Sequence, residues 1–204
     1  MAGLLPIILA GAAVVPAAPI MPNAWFNSRD QPKTAMRVAE RGAILYTVDV
    51  APDGSAIRCT VPEQDDLSLK VCDLVMKRAR FQPATDDQGR PAFGLYEGMS
   101  SFLMPGKQRP RPDRSKLVVA VAQLPAGVTS PAYARVGFHV DAAGAISHCA
   151  ALPGERRRFM QTVDALGPAA CESLLRDYHP VAVRDASGAV RASVQSALVR
   201  FEQR

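Results

Sequence analysis

The chain has 204 residues, 48% apolar and 21% charged, which is globular composition and excludes wholesale disorder. Its net charge of +5 is spread along the chain, apart from Lys107–Lys116 and Arg156–Arg158, and reads as general surface charge. Aromatics are 6%, with one Trp, too few for a stacking platform that holds single-stranded nucleic acid, and no nucleic-acid partner is expected.

Residues 1–22, MAGLLPIILAGAAVVPAAPIMP, carry no charged side chain. The apolar run Leu4–Val15 has the length of a signal-peptide core and falls short of the ~20 residues of a membrane span. Four prolines, Pro6, Pro16, Pro19 and Pro22, interrupt any longer span. An export signal over 1–22 is expected, cleaved near Val15-Pro16-Ala17, with an uncleaved anchor as the alternative and the only expected membrane contact. Export permits disulfides. The four cysteines, Cys59, Cys72, Cys149 and Cys171, allow three pairings, and their count alone does not choose among them.

An internal duplication organises the rest. Residues 47–59 (TVDVAPDGSAIRC) and 137–149 (GFHVDAAGAISHC) each combine an apolar strand, a turn with Gly (Gly54, Gly144) and a Cys five residues later. Cys72 leads to Phe81-Gln-Pro83 and Gly89, Cys171 to Tyr178-His-Pro180 and Gly188, with 17 residues from Cys to Gly in both copies.

In chain order, Ile44, Tyr46, Val48 and Val50 alternate with polar or outward positions, and Ile57, Cys59 and Val61 with Arg58 and Thr60, around Pro52-Asp53-Gly54. This predicts a β-hairpin. Asp65 or Asp66 caps a helix running to about Arg80. Leu67, Val71, Cys72, Leu74, Val75 and Ala79 fall on one arc of it, so a helix packed on the Cys59 face of the strand brings Cys59 and Cys72 together. Phe81-Gln-Pro-Ala ends the helix, and a strand runs from about Ala92 to Met104. In the second copy, Leu117–Leu124 reads as an extra strand and Tyr133–Val140 with Ala145–Ala151 as a hairpin. A helix follows from Pro168 to about Tyr178, then a last strand over Ala189–Phe201. Ile146 stands two residues after its Gly and Ile57 three, which calls for a bulge. Between the copies, residues 106–116 form a Pro-rich linker.

The segment Met36–Ile57, with its short helix, Gly, alternating strand and Pro-Asp-Gly turn, together with Arg78-Ala-Arg-Phe-Gln-Pro-Ala84, resembles the C-terminal domain of TonB-family energy transducers. The resemblance covers residues 30–104 well and 117–204 as a divergent second copy. It implies an α+β fold of two tandem TonB C-terminal-like domains, 23–105 and 117–204, each a small antiparallel sheet with helices on one face. The paired cysteines resemble a disulfide-bearing subgroup, bridged Cys59–Cys72 and Cys149–Cys171. It also implies a periplasmic protein without an active site of its own, which adds a partner strand to its sheet edge, the partner being an outer-membrane TonB-dependent receptor or another envelope protein. The expected edges are the last strands of each copy, through Phe93, Leu95, Met99 and Phe102 and through Val190, Val194, Leu198 and Phe201. The chain departs from the family in lacking a long Pro-rich spacer, so receptor coupling is lost in the alternative reading of a structural or regulatory envelope protein.

No cofactor, metal or catalytic residue is expected. His148, Cys149, Cys171 and His179 match no zinc spacing. Cys72-Asp73 and Cys171-Glu172 place acids beside the helical sulfurs, which disfavours a thiolate. Asp65-Asp66 and Asp86-Asp87 read as a helix cap and a turn. Arg156-Arg157-Arg158, in a loop unique to the second copy, reads as a solvated run.

Overall fold

The computed structural model describes residues 14–30, 43–101, 112–153, 156–157 and 160–204. The short helix expected near Met36, Phe102 and most of the 106–116 linker lie outside them.

The first copy opens with β1 (Ala18–Pro19), followed by β2 (Ile44–Val50), β3 (Ala56–Thr60), α1 (Asp66–Arg78), β4 (Phe81–Gln82), β5 (Ala84–Thr85) and β6 (Pro91–Ser100). The second contains β7 (Leu117–Val121), β8 (Ala132–Val140), β9 (Ile146–Ala151), β10 (Arg156–Arg157), β11 (Met160–Gln161), α2 (Gly167–Asp177), β12 (Val183–Arg184), β13 (Val190–Arg191) and β14 (Ser193–Gln203). The fold is α+β. Asp65 caps α1, its carboxylate accepting from the Leu67 and Ser68 amides. The α1 residues Val71 and Val75 pack on Val48 and Val50 of β2, and α2 presents Ala170 and Leu174 to Val136 and Phe138 of β8.

The duplication is visible in the turns. The Gly54 amide donates to the Ala51 carbonyl and that of Gly144 to Asp141, while Gly89 and Gly188 bond in the same way to Asp86 and Asp185. Both hairpins carry the expected irregularity, a register shift at Asp49/Val50 in one and at Gly137/His139 in the other. Two disulfides, Cys59–Cys72 and Cys149–Cys171, tie β3 to α1 and β9 to α2. Bridges of this kind persist in oxidising compartments. Among the described residues, no helix is long and apolar enough to cross a membrane.

The two copies do not keep separate sheets. Eight described strands form one sheet in the order β3-β2-β6-β14-β8-β9, with β5 beside β6 and β7 beside β14. Pairing within each copy's hairpins is antiparallel, but the seam is parallel and short, Ser193 opposite Phe93 and Val194 opposite Gly94. Successive strand residues alternate faces. On β14, Val194 belongs to the core under α1, whereas Ala197, Val199 and Phe201 belong to the core under α2. The helices therefore cover opposite faces of the joined sheet. This is what a pseudo-twofold axis running along the strands produces.

The segment expected to be a leader extends into the fold. Val14 and Ala17 are buried in the first core. Val15 and Thr85 exchange backbone hydrogen bonds, at 3.0 and 2.8 Å. Ala18 and Pro19 pair with Gln82 and Phe81 of β4. Gly94 makes room for this strap, and Gly137 makes room for Leu152 beside it. A Cβ at Gly94 would lie 2.9 Å from that of Ala17, and one at Gly137 would lie 3.4 Å from Val14 Cγ2. The strap thus crosses the seam, from β8 of the second copy to β6 of the first. Trp25 follows, packed edge-on against Phe81 and Tyr96 with ring centroids at 5.3 and 6.0 Å. The packing of the first copy therefore includes Val14 and Ala17, upstream of the expected boundary at residue 23.

Asp30 fastens the end of this segment to α1. Its carboxylate accepts from both terminal nitrogens of Arg78, at 2.6 and 3.1 Å, and from the Asn27 amide at 2.8 Å. Hydrogen bonding from Arg78 holds the Asp30 carboxyl below its ordinary value of 3.8. A lowered native pKa stabilises the fold above the unfolded value and is lost as pH falls through the native one. Stability linked to Asp30 is therefore intact above about pH 4 and disappears in stronger acid. Asp30→Asn is expected to remove that part of the acid dependence, read as a shallower fall of melting temperature between about pH 4 and pH 2. An unchanged slope would show that the pair is not formed in solution.

Candidate functional site

The residues expected at free edges divide on inspection of the sheet. β14 is interior. It pairs with β8 from Ser193 to Phe201 on one side, and with β6 at Ser193–Val194 and β7 at Val199–Gln203 on the other. Val194 and Phe201 are fully buried. Leu198 lies between Arg135 across the β8 ladder and the Lys116 amide, which donates to its carbonyl at 2.7 Å. Val190 is in the small β12–β13 ribbon, opposite Arg184. The second copy's last strand is thus no edge, because the fusion spends its flank on the first copy and on β7.

β6 is different. Phe93 is used in the seam. From Leu95 to Ser100, β6 pairs with β2 and, among the described residues, with no strand on its other flank. On that flank the Glu97 carbonyl accepts from Arg114 Nη2 at 2.7 Å. Since both backbone polar groups of a strand residue point the same way, Leu95 and Met99, two residues away on either side, direct theirs to this flank as well. Leu95 is buried and Met99 is 38% exposed. Phe102 lies outside the described residues. The sheet's outermost strands are β3 and β9, both short and bulged, a form that discourages edge pairing. His148, in the β9 bulge, has φ +49°.

Beside the open flank, on the face of β2 and β6 turned away from α1, lies a groove of about 380 Å³. Leu45, Thr47 and Thr60 form its floor, Pro62 and Val181 stand on one side, and the segment Asp113–Lys116 on the other. Its charges are largely self-paired. Lys116 Nζ meets Glu97 Oε1 at 2.6 Å and Asp113 meets Arg200 at 2.7 Å. The groove is thus an apolar, near-neutral surface. Sequence reading missed it, since its floor residues alternate as any half-buried strand does.

Further along the same face, Asp49 ties the copies together. It is 3% exposed, and its carboxylate accepts from Arg58 Nη2 at 2.6 Å and from the Arg184 amide at 3.1 Å. Burial raises its pKa, opposed by the Arg184 and Arg58 bonds. Asp185, in the turn beyond Arg184, is instead lowered to about 2 by Ser187 and Arg191. On the opposite face, His148 Nδ1 stands 3.4 Å from Asp87, another contact between copies. These carboxylates serve caps, turns and cross-copy ties.

The Cys149–Cys171 bridge removes the thiolates that zinc would need beside His148 and His179. Among the described residues, no three His, Cys, Asp or Glu side chains are grouped to hold a metal. Arg156 and Arg157 form the β10 backbone opposite β11, while Arg158 lies outside the described residues. Compared with family models, with curated proteins and with solved structures, the chain has no significant match.

Proposed function

We propose that this chain is a non-enzymatic protein-binding module of the cell envelope, built from two TonB C-terminal-like domains and exported to the periplasm. Its partner is an extended peptide added beside β6, parallel to the seam. The observation that carries this reading is the flank of β6 beyond Gly94, which pairs with no strand among the described residues. The equivalent flank of β14 holds β7 in parallel over Val199–Gln203. The duplication matches Val199 to Ser100, so in the second copy a strand is paired just beyond the place that matches Leu95–Met99. Strand addition uses backbone groups and leaves side chains to set specificity. An outer-membrane TonB-dependent receptor is one partner that presents such a peptide.

The test is a titration of the isotope-labelled full chain with a receptor-box peptide. Amide shifts are expected at Leu95, Glu97 and Met99, with none over Val194–Phe201. Absence of shifts at about 1 mM peptide would remove strand addition at β6. That result would leave the second reading, a structural or regulatory envelope protein without receptor coupling. The commitment of β14 on both flanks favours that reading for the second copy.

A further inference from the structure

The groove over Thr47 has a counterpart in the second copy, and the counterpart is filled. Counting back from Val50 and Val140, which lie opposite Gly94 and Ser193, matches Leu45 to Arg135 and Thr47 to Gly137. Thr60, across from Thr47, matches Ala150, across from Gly137. Two residues further on, Pro62 matches Leu152. Over Gly137, the space a Cβ would take is bounded by Leu152 Cδ2 at 2.9 Å and by Val14 Cγ2 at 3.4 Å. The second copy's groove therefore holds Leu152 and, beside it, the strap, an uncharged extended segment whose neighbouring residue, Val15, pairs by backbone with Thr85. Among the described residues, the matching place in the first copy, over Leu45, Thr47 and Thr60, is an open groove. Leu45 on its floor and Val181 at its side remain 37% and 43% exposed.

We infer that the groove over Thr47 is a second binding site, which takes an extended, uncharged apolar segment of a protein partner in the way the groove over Gly137 takes Val14. Three features set that chemistry. The groove's carboxylates are tied up in the Glu97–Lys116 and Asp113–Arg200 pairs, so a basic segment finds no free counterion there, and Arg114 spends Nη2 on the Glu97 carbonyl. Its ~380 Å³ admits short aliphatic side chains in sequence. The occupant the molecule itself supplies at the matching place, Val14-Val-Pro-Ala17, consists of small aliphatic residues and proline, which lose little entropy on ordering. The site rests on reading the chain as a protein-binding module. It uses side-chain burial on the sheet face, whereas strand addition uses the backbone flank of β6.

The probe is the strap's own sequence, the blocked peptide Ala-Val-Val-Pro-Ala-Ala-Pro of residues 13–19, added to the full-length protein. Amide shifts are expected at Thr47, Thr60 and Val181, saturating near 1 mM. Thr47→Trp, which places an indole in the groove, is expected to weaken binding at least tenfold with the melting temperature retained. A peptide carrying Lys in place of its first Val is expected not to bind, since both groove carboxylates are already paired. Shifts confined to Gly137 and Thr85 would mean that the peptide exchanges with the strap, and would overturn the inference. So would a complete lack of shifts, or Thr47→Trp binding as well as wild type. Shifts at Leu95 and Met99 with a receptor-box peptide are read separately, so either site can fail alone.

Discussion

Removing both disulfides is expected to bring the protein close to unfolding at room temperature. In the chain-entropy view, the Cys59–Cys72 bridge closes a sequence separation of 13 and Cys149–Cys171 one of 22. Each such closure is worth about 3 kcal/mol, so the pair contributes about 6 kcal/mol. A typical domain's net stability is only about 5–15 kcal/mol. The location of the bridges matters as much as their size. β3 and β9 are the outermost strands of the sheet, each held laterally by one neighbour and from its side by one disulfide to a helix. Cys59→Ala with Cys72→Ala is therefore expected to raise hydrogen exchange first in β3 and α1. β8, β14 and α2, whose core lies on the opposite face, should stay protected. Because β6 and β14 share only two residue pairs, opening of one copy need not open the other. Uniform loss of protection across both copies would mean that the seam couples them more tightly than its length suggests. A fall in melting temperature of a degree or two would mean that the cores alone carry the fold.

Much of each copy was legible because local rules acted without competition. The strand over Ile44–Val50, a cap at Asp65 or Asp66, the buried arc of α1 and the place of Cys59 and Cys72 follow from periodicity and capping, and the duplication extends that pairing to Cys149 and Cys171. The joining of the copies was not legible. A parallel pairing of Phe93 and Gly94 with Ser193 and Val194 is made by backbone, and backbone pairing imposes no side-chain pattern. β14 did hold a clue. Ser193, Val194 and Gln195 are buried in succession, which suits a strand covered on both faces, but two of the three are polar and read as exposed. Gln195 is accommodated by donating to the Val181 carbonyl at 2.7 Å and to Ser193 Oγ at 3.1 Å, contacts that no sequence pattern announces. The strap was hidden for a related reason. An apolar run of Ala, Val and Pro fits a secretion leader and a strap over strand glycines equally well. The separating signals are the pair Gly94 and Gly137, small where a strand would carry bulk, and the ion pair that anchors Asp30 to Arg78.

That ambiguity has a measurable consequence. A mature chain beginning at Val14 is expected to be markedly more stable than one beginning at Pro19. The longer form keeps Val14, 2% exposed, and Ala17, 6% exposed, together with both Val15–Thr85 backbone bonds. Burial of those side chains is worth about 2–4 kcal/mol before ordering costs. For a chain of this size, a deficit of that order lowers the melting temperature by about 5–15 °C. The effect should concentrate at the seam, because the strap touches β8 through Gly137 and β6 through Gly94. Gly94→Val supplies an independent check in the full-length chain. Its first side-chain atom meets the Ala17 Cβ at 2.9 Å and that of Ala84 at 3.1 Å, so it is expected to expel the strap and reproduce the truncation. The intact mass of the protein recovered from the envelope then decides which form operates. A chain cut upstream of Val14 would retain the strap as a working part of the fold. A chain cut after Ala18, with unaltered stability, would show that the copies hold their seam without it. The groove over Gly137 would then be as open to a partner as its counterpart over Thr47.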